Sequence, residues 1–196
     1  MKNLLAVVSA LGLTLSASAA EPVWVSDPAH SQVMFSVSHL VIAEVTGKFK
    51  EFDVTLLQTS PTDFTGSTLS ATIKTASVDT ENEQRDNHLR SDDFFNAEKF
   101  PVITFKSRSV DKAGSDTYKI SGDLTIRDIT RPVVLEAKYA GQVKDPWGNL
   151  KLGFKATTSV NRFDFGLKWD KAIETGGLVA GDVVDITLNM ELAQRK

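Results

Sequence analysis

Hydrophobic and polar residues alternate with a period of two over most of the chain, the pattern of strands that bury one face. In Gln32 to Ser38, Val33, Phe35 and Val37 oppose Ser36 and Ser38, and in Ser67 to Thr75, Leu69, Ala71 and Ile73 oppose Ser70, Thr72 and Lys74. Val133, Leu135, Ala137 and Tyr139 oppose Glu136 and Lys138, while Phe154, Ala156 and Val160 oppose Lys155, Thr157 and Ser159. The clearest run is Val184, Ile186, Leu188, Met190 and Leu192 against Asp185, Thr187, Asn189 and Glu191. With Val45 to Leu57, Val102 to Val110 and Tyr118 to Ile126, the pattern predicts about eight strands. Segments 62–66, 112–116 and 144–149 carry the Gly, Asp, Asn and Pro residues of turns, so neighbouring strands pair as antiparallel hairpins. No linker, repeat or shift in composition divides the chain, which reads as one all-β domain, a small barrel or sandwich.

One stretch breaks the alternation, from Thr80 to Phe105. Thr80 and Glu83 have the spacing of a capping box, and Glu81 with Arg85 and Asp86 with Arg90 stand at i,i+4, acid first. These features predict a short helix over about 80–91, polar nearly all round until Leu89. Phe94, Phe95, Phe100 and Phe105 follow, and Pro101 bars helical continuation. A charged helix running into an aromatic cluster is placed as a lid over an apolar interior.

Residues 1–20 have the form of a secretory signal peptide. Lys2 gives a basic start, Leu4 to Leu15 an apolar run, and Ala17 to Ala20 a cleavage site after Ala19 or Ala20. The apolar run is shorter than the roughly 20 residues that cross a bilayer as a helix. The reading is therefore an exported, periplasmic protein, residues 21–196, that is not integral to a membrane. The chain has 0 cysteines, which excludes disulfides and a cysteine-linked lipid anchor. Lys and Arg number 22 against 25 Asp and Glu, a net charge of −3 that becomes −4 when Lys2 leaves with the leader. The basic residues are spread singly, so nucleic acid is not an expected partner.

A barrel of eight strands can be filled by side chains or can hold one small ligand. Here the inward candidates are nearly all apolar, so a ligand in such a cavity would be held mainly by burial. Ten methylene-sized groups removed from water contribute about 8 kcal/mol at about 0.8 each, about micromolar affinity before ordering losses. A long aliphatic chain fits such a site better than a small polar metabolite.

Several spaced motifs carry a resemblance. They are Asp27, His30-Ser31, Phe35 and His39-Leu40; Val45-Thr46-Gly47-Lys48-Phe49; Ser77-Val78-Asp79-Thr80; and Arg85-Asp86-Asn87-His88-Leu89. They continue through Asp93-Phe94-Phe95, Phe100-Pro101, Phe105, Gly122-Asp123-Leu124-Thr125-Ile126, Thr130-Arg131-Pro132-Val133, Asn161-Arg162 and Asp164-Phe165-Gly166. In order and number they resemble the YceI-like proteins, also described as polyisoprenoid-binding and lipocalin-like. The resemblance covers nearly the whole chain after the leader. It implies an eight-stranded antiparallel lipocalin-like barrel whose tunnel holds a long-chain isoprenoid or other linear lipid, in a secreted bacterial protein that often forms a homodimer.

The leading functional reading is a binding module without enzymatic activity, cofactor or metal. It would enclose an isoprenoid, an isoprenoid quinone or a fatty-acid derivative for transport, storage or sequestration. Arg85, Asp86 and His88 on the helix, with His39, form the polar part of the expected ligand site. Phe35, Leu89, Phe94, Phe95, Phe105, Leu124, Leu135, Phe154, Phe165, Ile186 and Leu188 form its apolar part.

Competing readings rest on the same residues. His30, His39 and His88 raise a three-histidine metal site, but His30 and His39 flank one strand, about 25–30 Å apart along extended chain, and read as structural. Arg85 and Asp86 could instead pair with Glu81 and Arg90 on the helix surface, worth a few tenths of a kcal/mol each. Arg162 and Asp164 read as a buried or half-buried bridge closing a barrel end. The alternative function is an enzyme acting on a bound lipid or quinone, with Asp86, His88 or His39 as acid or base. No nucleophile elbow, HExxH or phosphate loop supports it. An outer-membrane barrel needs aromatic girdles at both interfaces, and 3 Trp with 2 Tyr do not supply them.

Overall fold

The computed structural model describes residues 21–60, 63–172, 174 and 176–195; the leader expected at residues 1–20 lies outside them. The strands are β1 (Val23–Ser26), β2 (Gln32–His39), β3 (Ala43–Phe49), β4 (Phe52–Leu57), β5 (Thr68–Lys74), β6 (Val78–Asp79), β7 (Val102–Lys112), β8 (Thr117–Ile126), β9 (Ile129–Lys144), β10 (Leu150–Asn161) and β11 (Ala180–Gln194). One helix, α1 (Glu83–Arg90), lies between β6 and β7. All the strand pairs are antiparallel.

The sheet closes on itself as an eight-strand barrel, because two of its staves are bent, each made of two consecutive strands. β1 and β2 both lie along β11, β1 opposite Leu192 to Gln194 and β2 opposite Ala180 to Asn189. β3 and β4 pair in turn with β2 and β1. The ring runs β1/β2, β3/β4, β5, β7, β8, β9, β10, β11 and returns to β1. Closure of β1 on β11 removes the free edges of an open sheet, the constraint that makes a barrel a stable end to a curling sheet, while the outer edge of β3 is paired, among the described residues, only at Lys48 and Phe49, with β6.

All eight predicted strands are present. Val45 to Leu57 divides at Lys50 and Glu51 because the alternation changes phase there. Phe49 is buried on one side of the break and Phe52, Val54 and Leu56 on the other, so a straight strand would turn Glu51 inward. The bend keeps both charged residues outside. β1 has only four residues, too few for alternation to reveal it.

The helix forms where expected, but its cap is different. Asn82 is the N-cap and its side-chain oxygen accepts from the Arg85 N–H at 2.9 Å. Thr80 is buried before the helix, and Glu81 takes a left-handed φ of 61° in the turn between them. The surface ion pairs of the alternative reading of Arg85 and Asp86 do not form: Arg90 donates to the carbonyls of Ala76 and Val78, each at 2.8 Å, and Arg85 turns to Thr80. Backbone acceptors win because they fix the helix to β6, which an exposed pair on one helix does not.

Arg162 also departs from expectation. It is 4 % exposed and donates to the carbonyls of Leu167, Gly181 and Ala180 at 2.6, 2.7 and 3.0 Å, with its guanidinium 4.2 Å from the Phe163 ring centre. Asp164 is exposed and makes no bridge to it. Burial lowers the Arg162 pKa, opposed by the more distant charges of Asp182 and Asp170. The residue latches the 3-10 turn Arg162–Phe165 to the start of β11.

At the other end, the bend between β1 and β2 is tied down by Lys151, whose ammonium lies 2.8 Å from Asp27 and 3.0 Å from Glu191. Asp27, the exposed His30 and Glu191 converge closely enough to suggest a metal, but the Lys151 ammonium already bridges the two carboxylates. The three histidines do not converge: His30 is here, His39 ends β2, and His88 is on α1.

Two glycines shape the barrel wall. Phe105 lies over Gly122 of β8, where a methyl group would meet the ring and, at 2.6 Å, the Lys106 carbonyl oxygen. Phe35 lies over Gly47 of β3 in the same way, so both rings lean along the wall instead of across the barrel.

Two outcomes follow. Gly122→Ala destabilises the fold by about 1–3 kcal/mol, because the carbonyl cannot yield, and thermal melting reads the loss. Lys151 first and His30 second hold the Asp27 carboxyl at about 2, below its ordinary value of 3.8. Its contribution is therefore present above pH 4 and lost as pH falls through 2, so denaturant titrations over that window show a steeper loss for the wild type than for Asp27→Asn.

Candidate ligand-binding cavity

The barrel encloses an apolar cavity of about 350 Å³. Its walls are the inward rows of the strands: Val33 and Phe35 of β2, Val54 and Leu56 of β4, Leu69 and Ile73 of β5, Ile103 and Phe105 of β7, Leu124 of β8, Leu135 of β9, Phe154 of β10, and Ile186 and Leu188 of β11. Phe35, Ile186, Leu188 and Met190 line it and are only partly buried. Inward side chains stay accessible where they face space instead of one another.

The two ends differ. The closed end is sealed by Phe64, which enters from the connection between β4 and β5 and is 5 % exposed. Its ring centre lies 5.6 Å from Tyr118, 5.0 Å from Tyr139 and 5.0 Å from Phe154, edge-on to the first and last. The Tyr118 hydroxyl donates outward to Asp63 at 3.2 Å, and burial raises its pKa.

The other end carries the polar lining: Ser38, His39, Thr80, Arg85, His88, Thr158 and Arg162. Thr80 organises it. Its N–H and hydroxyl both donate to Asp86, at 2.8 and 2.6 Å, while Arg85 donates to its hydroxyl at 2.7 Å and its carbonyl at 2.8 Å. The His88 ring is 2.9 Å from the Asp93 carboxylate and stands edge-on to Phe94 and Trp169. Arg85 and His88 also border a small polar depression outside, with Asn82 and Gln84. They therefore stand between the cavity and the exterior.

Beside this mouth the turn after β2 exposes Leu40, Val41 and Ile42 by 36, 66 and 88 %. Leu40 and Val41 have φ of 52° and 66°, a strained backbone for a bulky and a β-branched residue. Among the described residues, no helix is long and apolar enough to cross a membrane.

Thirteen of the residues expected at a ligand site line this cavity: Phe35, His39, Arg85, His88, Leu89, Phe94, Phe95, Phe105, Leu124, Leu135, Phe154, Ile186 and Leu188. Asp86 and Phe165 do not. The Asp86 carboxylate is buried against Thr80, which leaves Arg85 and Arg162 as the charged residues that line the cavity, and Phe165 is 1 % exposed within the 3-10 turn. Phe64, Tyr118, Leu167, Trp169 and Val179 line it as well, outside the expected set. Val33 and Val54 were legible from alternation; Phe64 was not, because it stands in a turn motif.

A family model described as "YceI-like domain" matches residues 24–192. The chain is 41 % identical over 169 residues to Protein YceI of Escherichia coli O157:H7, covering 85 % of this chain and 83 % of that protein. It is 40 % identical over 162 residues to a UPF0312 protein of Ectopseudomonas mendocina, covering 83 % and 81 %. The Campylobacter jejuni YCEI crystal structure superposes with a TM-score of 0.69 at 34 % identity, covering 81 % of this chain and 90 % of that one. A polyisoprenoid binding domain from Saccharophagus degradans shares the fold, with a TM-score of 0.61 at 14 % identity over 89 % and 99 % of the two chains. By the match over residues 24–192 and by these identities, this chain is a member of the YceI-like domain family.

Proposed function

We propose that the protein encloses one linear amphiphile, its apolar chain in the barrel and its polar head at Arg85 and His88, and carries or sequesters it in the periplasm without transforming it. The observation that carries this reading is the polarity of the cavity: an apolar floor and wall, with its charged lining at the mouth only. An amphiphile matches that gradient, whereas a uniformly polar metabolite would lose its hydration along the wall without hydrogen bonds in return. The Saccharophagus degradans domain of the same fold is described as polyisoprenoid binding, and an isoprenoid, an isoprenoid quinone or a fatty-acid derivative all have the required shape. The signal-like residues 1–20 support export.

Protein expressed with its leader and purified from the periplasmic fraction without detergent carries a co-extracted lipid in native mass spectrometry, and that lipid is recovered with its mass unchanged. Empty protein that also refuses prenols and fatty acids added in solution overturns the proposal. In a second test, Ala156→Phe, which places a ring inside the lumen from β10, lowers lipid uptake by at least about tenfold, equivalent to about 1.4 kcal/mol, while the barrel still melts cooperatively.

A further inference from the structure

We propose that Phe64 is the end stop that sets the longest chain the cavity accepts, a specificity-determining residue for linear ligands with an apolar terminus. The proposal rests on the lipid-binding reading above and adds to it which residue measures the ligand.

Among the described residues, Phe64 is the one cavity-lining side chain at the closed end that a connection supplies instead of a barrel strand. The rings around it, Tyr118 of β8, Tyr139 of β9 and Phe154 of β10, belong to strands locked in ladders on both sides. Phe64 takes no part in a ladder, so its side chain can change without altering the circumference of the barrel. Its position is nevertheless fixed. The Gly66 N–H donates to the Val110 carbonyl at 2.9 Å, and Asp63 accepts from the Tyr118 hydroxyl at 3.2 Å and lies 3.6 Å from Lys112. These contacts pin the connection to β7 and β8 on both sides of the ring.

The chemistry at this end is also specific. With the Tyr118 hydroxyl turned outward to Asp63, a chain reaching the floor meets Phe64, Leu56, Phe154 and Leu192, and a polar terminus would find no partner there. Each methylene buried along the wall raises affinity by about fourfold, and one that cannot pass the floor adds nothing. Affinity plotted against chain length therefore climbs and then breaks. Phe64 places the break.

The test uses delipidated protein and two ladders of probes, saturated fatty acids and all-trans prenols of increasing length, read by native mass spectrometry and by displacement of a fluorescent fatty acid. Wild-type protein shows the climb and the break. In Phe64→Ala and Phe64→Leu the break moves to longer chains, with about fourfold gained for each methylene newly admitted. In Phe64→Trp the break moves to shorter chains. Should Phe64→Ala fail to fold, the leucine and tryptophan variants carry the comparison in opposite directions. A break that stays in place in the folded variants, or a wild-type climb without any break, overturns the end stop. Wild-type protein that binds neither ladder overturns the lipid-binding reading itself.

Discussion

The structure depends on closure of one hydrogen-bonded ring at β11. This strand pairs with β10 along most of its length and, on its other edge, with β2 and then β1. Once the ring is closed its circumference is fixed by backbone geometry and cannot shrink to fit the side chains inside. A packed core would otherwise collapse around a void, since unfilled space costs dispersion contacts. Here the wall resists that collapse, and Phe35 and Phe105 lean over Gly47 and Gly122 instead of reaching across the lumen. The cavity follows from the ladder.

Closure also divides the molecule into two ends with different chemistry. At the closed end Trp24, Phe64, Tyr118, Leu152 and Leu192 are all buried, and the polar atoms there are turned aside, the Trp24 N–H to Gln58 at 2.8 Å and the Tyr118 hydroxyl to Asp63. At the mouth α1 packs against β6, and His88, Leu89, Phe94 and Phe95 line the cavity. Polar groups collect where water can reach them. Their satisfaction is local: Arg85 and Asp86 both serve Thr80, and Arg162 rests on three carbonyls. An apolar chain entering past them would exchange water for wall contacts, about 0.8 kcal/mol for each methylene.

The charged residues of α1 show how tertiary context overrides local pairing. Glu81 with Arg85 and Asp86 with Arg90 have ideal spacing for helix pairs, yet an exposed pair on a helix of eight residues contributes little. Donating into backbone carbonyls at the end of β6 anchors the whole helix. The Asp86 carboxylate, spent on Thr80, does not face the cavity, while Arg162 joins Arg85 among the residues that line it.

By itself the sequence determined an all-β domain, about eight strands, the helix between them and most of the inward apolar rows, all from local rules: period-two alternation, turn residues, and the polarity of residues 80–91. Those rules left barrel and sandwich open, and the resemblance to the YceI-like proteins implied the barrel. Tertiary structure decided what depends on distant parts of the chain meeting. It joined β1 and β2 into one stave, seated Lys151 between Asp27 and Glu191, buried Arg162 on the carbonyls that start β11, and turned Asp86 inward to Thr80. It also brought Phe64 out of a turn and under the barrel. Alternation reports which face of a strand is buried, and it carries no information about a ring that enters the interior from a connection.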